Sequence, residues 1–325
     1  MNAAILQDVT PVTSRWWPLS LVEGVTREKP LGTTLGSLPI VLFRDARGIV
    51  RALEDRCAHR RVPLSLGRLT HEGRLQCGYH GWTYDGETGV CTAIPHLGED
   101  TPIPKLYRVS RYRAVEHNGF VYVWTGDPER APALPPEREM AATYRGSTVL
   151  PLGYEDVLAT LLDGPQVLLC TAGVELNDYF TRDLQMHENG CVSVERGALW
   201  SGRSRPYHFV SDYPLVFRTT IDEEHSEVLL ELLTDQEVPL YSTLIGLAPS
   251  ARGTTTAHWR CAVFNQARGT RPVLLRTMLG VSRRAPLAPR NVIDGTALLK
   301  LLPGPSLQWA NLRQRALRAT AAVAN

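Results

Sequence analysis

Two short clusters of cysteine and histidine constrain this chain more than any other feature of its sequence. The first reads Cys57-Ala58-His59, and after seventeen intervening residues the second reads Cys77-Gly78-Tyr79-His80. Each cluster offers one thiolate and one imidazole, so two loops of matching design present two sulfur and two nitrogen ligands. Such sets bind either zinc or an iron–sulfur cluster. The sequence therefore predicts a metal centre held between two loops.

The spacing of the ligands favours iron and sulfur over zinc, which is the main alternative. Structural zinc sites usually combine C-x2–4-C with H-x3–5-H pairs, whereas each pair here mixes one cysteine with one histidine. A [2Fe–2S] centre of the Rieske type takes two cysteines on one iron and two histidines on the other, with a potential of roughly −150 to +300 mV. We therefore predict one such cluster per chain, ligated by Cys57, His59, Cys77 and His80.

Glycines in the second loop support this assignment. Gly78 and Gly81 would let the loop turn tightly and bring backbone N–H groups close to the cluster sulfurs. Hydrogen bonds of this kind tune the potential of a metal centre.

Several stretches resemble the Rieske non-haem iron oxygenases. They are Cys57-Ala58-His59-Arg60, the run from Cys77 to Asp85, Arg15-Trp16-Trp17-Pro18 and the run from Gly119 to Trp124. Respiratory Rieske proteins carry an additional cysteine near each ligand pair, where this chain has Val62 and Tyr79. The oxygenase type is therefore the closer match, in the branch that resembles dicamba monooxygenase and vanillate O-demethylase.

The length of 325 residues predicts two domains. Alternating apolar runs to about residue 130 indicate a small antiparallel β domain (1–130), including a hairpin over 40–54 and a strand over 120–124. A proline-rich stretch predicts a linker over 131–145. The resemblance implies that residues 146–325 form a helix-grip (START-like) domain, in which a curved antiparallel sheet wraps a helix around a substrate pocket. The expected fold class is α+β.

Periodicity adds detail to the second domain. It predicts a helix over 155–162, strands over 192–194, 216–221, 228–233 and 254–264, and helices over 296–302 and 307–320.

The family resembled here carries a mononuclear iron in the second domain, bound by two histidines and one carboxylate. Its pattern is D/N-x2-D-x2-H-x4-H, and Asp163 matches the carboxylate that bridges the cluster of one subunit to the pocket of its neighbour. Gln166 and Thr171 stand where the two histidines are expected, and Gly164-Pro165 should end the helix. Asp294 is the candidate for a surviving third ligand. We therefore predict that the mononuclear Fe(II) is absent.

Asp163 has two interpretations. It is either a carboxylate at a helix end or a tentative electron-transfer residue, hydrogen-bonded to a cluster histidine.

The remaining histidines show no motif spacing that would rebuild an iron site. His208 and His258 could face the pocket, His225 lies in an acidic turn, and His187 is a further candidate. The histidines of the first domain are expected at the surface or behind the cluster ligands; they are His71, His96 and His117.

Composition narrows the partners and the compartment. A net charge of +2 gives no reason to expect binding to nucleic acid. We expect no membrane span, because no run of 18 apolar residues occurs, and we recognise no signal peptide. Cys91, Cys170, Cys191 and Cys261 are scattered and are expected to be buried thiols, which indicates a reducing, cytoplasmic location. Because no dinucleotide fingerprint or P-loop is present, electrons should come from a separate ferredoxin or flavin reductase.

Four functions remain open. The first is a Rieske oxidoreductase that passes single electrons to a small, cyclic or aromatic substrate or to a partner without its own mononuclear iron. The second is an active monooxygenase with a rebuilt iron site, catalysing hydroxylation, demethylation or desaturation. The third is the cluster-bearing subunit of a mixed oligomer with an intact oxygenase. For a chain that assembles with its own copies, the resemblance implies a homotrimer. The fourth is a binding or cyclising pocket with a structural cluster.

Overall fold

The computed structural model describes residues 14–98, 101–138, 140, 144–165, 174–200, 215–234, 236–250 and 253–263. They fall into two compact units, residues 1–139 with 246–258 and residues 140–245 with 259–325. The segment 246–258, expected in the second domain, groups instead with the first unit. The mostly antiparallel β architecture agrees with the predicted α+β class.

The first unit contains ten strands from residue 16 to residue 124 and three short 3-10 helices. The strands are β1 Trp16–Leu21, β2 Leu31–Leu35, β3 Leu38–Arg44, β4 Val50–Glu54, β5 Arg68–Leu69, β6 Leu75–Gln76, β7 Thr83–Tyr84, β8 Cys91–Ala93, β9 Arg111–His117 and β10 Phe120–Trp124. The 3-10 helices are Val22–Gly24, Leu64–Leu66 and Pro128–Arg130.

Two antiparallel sheets make up this unit. One has six strands in the order β1-β10-β9-β4-β3-β2, and the other has four in the order β5-β6-β7-β8. The predicted hairpin over 40–54 is confirmed as β3 and β4. Its turn closes because the Gly48 N–H donates to the Asp45 carbonyl at 2.9 Å, and Gly48 has a positive φ of 82° that glycine adopts without strain.

The segment 246–258 packs tightly within the first unit. The Gly36 N–H donates to the Pro249 carbonyl at 2.8 Å. A side chain on Gly246 would come within 2.7 Å of Pro18, so only glycine fits there. His258 is buried and donates to the Leu19 carbonyl, and burial lowers its pKa to about 4. His258 is therefore a neutral core residue rather than a pocket residue.

The second unit contains one described helix and most of a larger antiparallel sheet. This helix and the strands of the sheet are β11 Tyr144–Leu150, α1 Tyr154–Asp163, β12 Val174–Thr181, β13 Gln185–Met186, β14 Val192–Trp200, β15 Leu215–Asp222, β16 Glu227–Leu233, β17 Pro239–Pro249 and β18 Thr255–Val263. The end of β17 and the start of β18 belong to the segment 246–258 of the first unit. The eight-stranded order is β11-β18-β17-β16-β15-β14-β12, with β13 paired to β14. The predicted helix and four predicted strands are confirmed, whereas the helices expected over 296–302 and 307–320 lie outside the described residues.

Cross-strand register fixes which side chains share a face of this sheet. Along β15, buried and half-buried residues alternate, as a two-residue period requires. On the half-buried face, Arg218 is directly opposite Glu195 on one side and Glu231 on the other. The pKa of Arg218 is raised, because hydrogen bonding and charge from Glu195 and the neighbouring carboxylates outweigh burial. This charged ladder is a structural feature of the sheet.

Candidate metal centre

The two predicted ligand loops leave strands that belong to the two different sheets of the first unit. The first follows β4 and enters the 3-10 helix Leu64–Leu66, and the second connects β6 to β7. Their backbones follow the same plan. The Cys57 N–H donates to the Val62 carbonyl at 2.9 Å, and the Cys77 N–H donates to the Trp82 carbonyl at 2.8 Å. Each loop is thus closed by a hydrogen bond from its cysteine to the residue five positions later.

The thiols and the imidazoles lie in different surroundings. Cys57 and Cys77 are buried in an apolar cluster that includes Leu64, Leu75 and Tyr84. His59 is exposed and His80 is half-buried. A metal cluster bound here would have its sulfur-ligated end in the core and its imidazole-ligated end at the surface.

The two imidazoles converge on one point. The Nδ1 atoms of His59 and His80 are 3.1 Å apart, and their ring centroids are 4.9 Å apart. Two nitrogens at about 2.0–2.1 Å from one tetrahedral metal lie about 3.3 Å apart. His59 also stacks on Trp82, with centroids 4.9 Å apart and an interplanar angle of 6°. The two imidazole nitrogens are therefore close enough for both to bind a single metal ion.

The pairing of the four side chains is compatible with a two-metal cluster. Over the described ranges, no group of three His, Cys, Asp or Glu residues is placed to hold a single metal ion. In a Rieske cluster each iron takes only two protein ligands, so a thiol pair and a separate imidazole pair are what the cluster requires.

Hydrogen bonds surround both sulfur atoms. The Tyr84 hydroxyl lies 3.1 Å from the Cys57 sulfur and accepts the Ala58 N–H at 3.0 Å. The backbone N–H groups of Tyr79 and His80 donate to the Cys77 sulfur. Donors aimed at ligand sulfurs stabilise the more negative, reduced state of a cluster and raise its potential.

Burial and neighbouring charges affect the acidity of these groups. Burial raises the pKa of the Cys77 thiol, while the N–H groups of Tyr79 and His80 oppose this effect. Desolvation, together with the charges of His59, Arg60 and His96, lowers the pKa of His80. His80 is therefore a neutral imidazole near pH 7, which is the form that binds metals. Burial and the bond to Cys57 raise the pKa of Tyr84, so its hydroxyl keeps its proton and can act as the donor.

Two carboxylates that sequence reasoning missed hold the first loop in place, and no motif in the chain marks either of them. Buried Asp55 accepts the Ser65 N–H at 2.7 Å and the Ser65 hydroxyl at 2.6 Å. Glu54 accepts from Arg61 at 2.5 Å and from the Ser110 hydroxyl at 3.1 Å. Tyr84 was also missed, although it lies in the stretch that resembles the oxygenases.

Of the residues predicted for the second domain, Asp163 is described and is the last residue of α1. The helix ends there as expected, because Gly164 follows as its C-terminal cap. Gln166, Thr171 and Asp294 lie outside the described residues, as does His208.

The other described histidines are held in local structure. His187 Nε2 lies 2.7 Å from the Ser193 hydroxyl, and His225 Nδ1 lies 2.8 Å from Asp222. The bond to Asp222 raises the pKa of His225, so this histidine is paired rather than simply solvated. In the first unit His117, expected at the surface or behind a ligand, is 6% exposed and packs edge-on against Tyr122. Of the cysteines predicted to be buried thiols outside the ligand set, Cys91, Cys191 and Cys261 are buried and in no disulfide among the described residues, and Cys170 lies outside those residues.

Comparison with known proteins defines the class of the first unit. The profile of the Rieske [2Fe-2S] domain matches residues 15–112. Protein TIC 55, chloroplastic, of Arabidopsis thaliana is 38% identical over 165 residues, which cover 48% of this chain and 30% of that protein. The chain thus spans less than a third of the length of this relative.

Solved structures extend the likeness to the whole fold. Dicamba monooxygenase bound to dicamba superposes with a TM-score of 0.64 at 21% identity, covering 95% of this chain and 90% of that one. The oxygenase of carbazole 1,9a-dioxygenase, in complex with ferredoxin, gives a TM-score of 0.59 at 15% identity and covers 88% and 80% of the two chains. At these identities the superpositions establish a shared fold.

These comparisons confirm the predicted resemblance to the Rieske oxygenases. The chain has an N-terminal Rieske [2Fe-2S] domain and the fold of dicamba monooxygenase. Among the described residues, no helix has the length and apolar character needed to cross a membrane.

The Tyr84 hydroxyl generates a testable prediction. Replacing Tyr84 by Phe removes one donor from the Cys57 sulfur, and a neutral hydrogen bond contributes about 0.5–1.5 kcal/mol. The midpoint potential should therefore fall by roughly 20–60 mV for a one-electron couple, measured by redox titration. Tyr112→Phe, in the adjoining sheet, is the control and should leave the potential unchanged. An equal shift in both variants would contradict the role of Tyr84.

Proposed function

We propose that this protein is a Rieske oxidoreductase that accepts single electrons from a separate carrier and delivers them to a small, cyclic or aromatic molecule. In this proposal Cys57 and Cys77 bind one iron of the cluster, and His59 and His80 bind the other. The carrying observation is the convergence of the two imidazole Nδ1 atoms to 3.1 Å at the surface end of a buried thiol pair. When bound, the cluster supplies reversible one-electron oxidation and reduction.

Metal analysis tests this assignment. The purified chain should contain two irons and two acid-labile sulfides, with the EPR signal of a reduced Rieske centre. Cys77→Ser and His80→Ala should abolish that signal, because each removes a ligand. Cys91→Ser is the matched control: Cys91 is also buried in the same apolar cluster but is not a proposed ligand. An unchanged spectrum in both ligand variants would refute the assignment.

The surface around the imidazoles supports an external electron donor. Leu66 is 75% exposed, Leu106 83% and Tyr79 57%, which is unusual for large apolar side chains. Tyr79 packs against His80, with centroids 3.9 Å apart, and the Leu66 carbonyl lies close to Gly78 of the second loop. Leu106 precedes Tyr107, whose ring lies 5.0 Å from that of Trp82, the residue on which His59 stacks. We call Leu66, Tyr79 and Leu106 the apolar rim.

Charge next to the rim favours an acidic partner. Arg60 and His96 are both exposed and lie close enough to His80 to affect its pKa. Complementary charge steers such encounters and sets their rate. Since the carbazole 1,9a-dioxygenase oxygenase has been solved in complex with ferredoxin, we propose an acidic ferredoxin-type protein as the donor here.

Reduction kinetics test the source of the electrons. The oxidised protein should not be reduced by NADH alone and should be reduced by a reduced ferredoxin-type protein, at a rate that falls as salt is added. Arg60→Glu should slow this reduction roughly tenfold, because it reverses a charge beside the imidazoles. Arg130→Glu, also at an exposed arginine, is the control and should have no such effect. Rapid bleaching by NADH without a carrier would contradict the proposal.

We further propose that this chain holds no mononuclear iron. Gln166 and Thr171 replace the imidazoles that would provide most of the affinity for Fe(II), and Asp294 alone would not hold the ion. The local hydrogen bonds of His187 and His225 support this, because both residues have partners outside any iron site. The count of two irons rather than three tests the idea.

Location in the cytoplasm and assembly as a homotrimer or mixed oligomer remain predictions. The similar protein TIC 55 is named chloroplastic.

Asp163 is proposed to orient a cluster histidine of a neighbouring copy in the assembled oligomer. Asp163→Asn keeps the size of the side chain and removes its charge. Reoxidation of the dithionite-reduced cluster by dioxygen should slow roughly tenfold at unchanged iron content, the scale typical of residues that orient a metal ligand. Asp156→Asn, on an exposed position of the same helix, is the control. Equal rates for the wild type and Asp163→Asn would show that Asp163 is only a carboxylate at the end of a helix.

A further inference from the structure

The two ligand loops share a left-handed residue at the same position. The residue four places after each cysteine donates its N–H back to the cysteine carbonyl, Arg61 to Cys57 at 2.9 Å and Gly81 to Cys77 at 3.1 Å. Arg61 has a φ of 57° and Gly81 a φ of 71°. The turn that closes both loops therefore requires this backbone conformation.

Only one of the two loops uses glycine for it. At Gly81 a side chain would come within 2.7 Å of Pro95, so glycine is required by space as well as by conformation. Arg61 is a non-glycine residue in a conformation that its Cβ disfavours. Residues held in such conformations concentrate at functional sites, where surrounding contacts determine them.

The contact that holds Arg61 is an ion pair with Glu54. The guanidinium donates to one carboxylate oxygen at 2.5 Å, and the other oxygen accepts the Ser110 hydroxyl at 3.1 Å. The Glu54 N–H also donates to the Ser110 carbonyl at 2.8 Å. Glu54 is the last residue of β4, which pairs with β9. The arginine side chain thus ties the turn of the first loop to the C-terminal end of β4, an inner strand of the six-stranded sheet.

The burial of the two partners indicates which one is fixed. The Glu54 side chain is 19% exposed and is anchored by Ser110, whereas the Arg61 side chain is 55% exposed. The rigid carboxylate therefore positions the arginine, and the arginine positions the loop. His59, two residues earlier, has an exposed ring, so its placement depends on this turn and on stacking against Trp82.

We propose that Arg61 is a positioning residue for His59. Through its ion pair with Glu54 it holds the first loop in the left-handed turn that keeps the His59 nitrogen facing that of His80. Glycine at this position would adopt the turn readily but would not anchor it. The inference rests on the proposed cluster ligation and adds to it a residue that touches neither iron nor sulfur.

Four variants separate anchoring from strain and from charge. Glu54→Gln keeps the left-handed arginine and removes the ion pair. Arg61→Gly removes both the ion pair and the conformational strain. Arg56→Ala is the matched control, because it removes an exposed positive charge at the start of the same loop without touching the Arg61–Glu54 pair. Arg61→Lys tests whether a conservative cation restores the contact.

Two quantities are measured. The first is the rate of cluster loss in a chelator, monitored by visible absorbance. The second is the EPR spectrum of the reduced protein at matched iron content. Glu54→Gln and Arg61→Gly should each lose the cluster roughly fivefold faster than wild type, with shifted or broadened EPR features, because one charge-assisted hydrogen bond is lost. The double variant Glu54→Gln/Arg61→Gly should lose the cluster no faster than either single variant, since both substitutions remove the same contact. Arg61→Lys should fall between Arg61→Gly and wild type.

Three results would overturn the proposal. One is wild-type behaviour of both Glu54→Gln and Arg61→Gly. Another is an effect of Arg61→Gly alone, which would assign the role to backbone conformation rather than to the ion pair. The third is an equal effect of Arg56→Ala, which would assign it to charge. A wild-type protein with no cluster would instead refute the ligand assignment itself, so the two failures are distinguishable.

Discussion

Two imidazole nitrogens 3.1 Å apart at the protein surface are the contact on which the first unit depends. In water, two neutral imidazoles have little reason to meet, because each is well solvated alone. Here the meeting is imposed by two loops closed by the same pair of backbone hydrogen bonds, and by the stacking of His59 on Trp82. The short strands β6 and β7 support one loop, and β4 with the Glu54 and Asp55 contacts supports the other. Much of this unit can be understood as a frame for that contact.

The difference in burial between the thiols and the imidazoles gives the site a direction. Low dielectric around Cys57 and Cys77 would disfavour added negative charge, and the donors from Tyr84, Tyr79 and His80 offset this effect at the two sulfurs. Water and the charge of Arg60 lie at the imidazole end. In the proposed function, electrons therefore pass through the exposed imidazole edge, where a partner can approach.

The sequence carried the ligand pattern because metal chemistry limits which residues can serve at which spacing. It also predicted the β3–β4 hairpin and the end of α1 at Asp163, since turn glycines and a Gly-Pro pair act locally. Arg61 could not be predicted, because nothing in a single sequence marks an arginine as left-handed. The bond from Tyr84 to Cys57 and the grouping of 246–258 with the first unit join residues far apart in the chain. Such contacts arise only when the complete fold brings distant segments together.

Whether the second unit holds iron decides how electrons would use the exposed imidazole edge of the cluster. Fe(II) affinity in a facial site comes mainly from imidazoles, and His187 and His225 of this unit are each bonded within their own surroundings. If the chain holds no iron of its own, as proposed, the imidazole edge must serve both for the entry and for the exit of electrons. A donor bound tightly there would block the acceptor, so the donor has to leave after each transfer. Small, weakly buried interfaces are typical of such redox encounters. The apolar rim beside the charge of Arg60 is suited to brief contact. Its three side chains offer little area to bury, and the charge speeds the encounter of the two proteins more than it strengthens their complex.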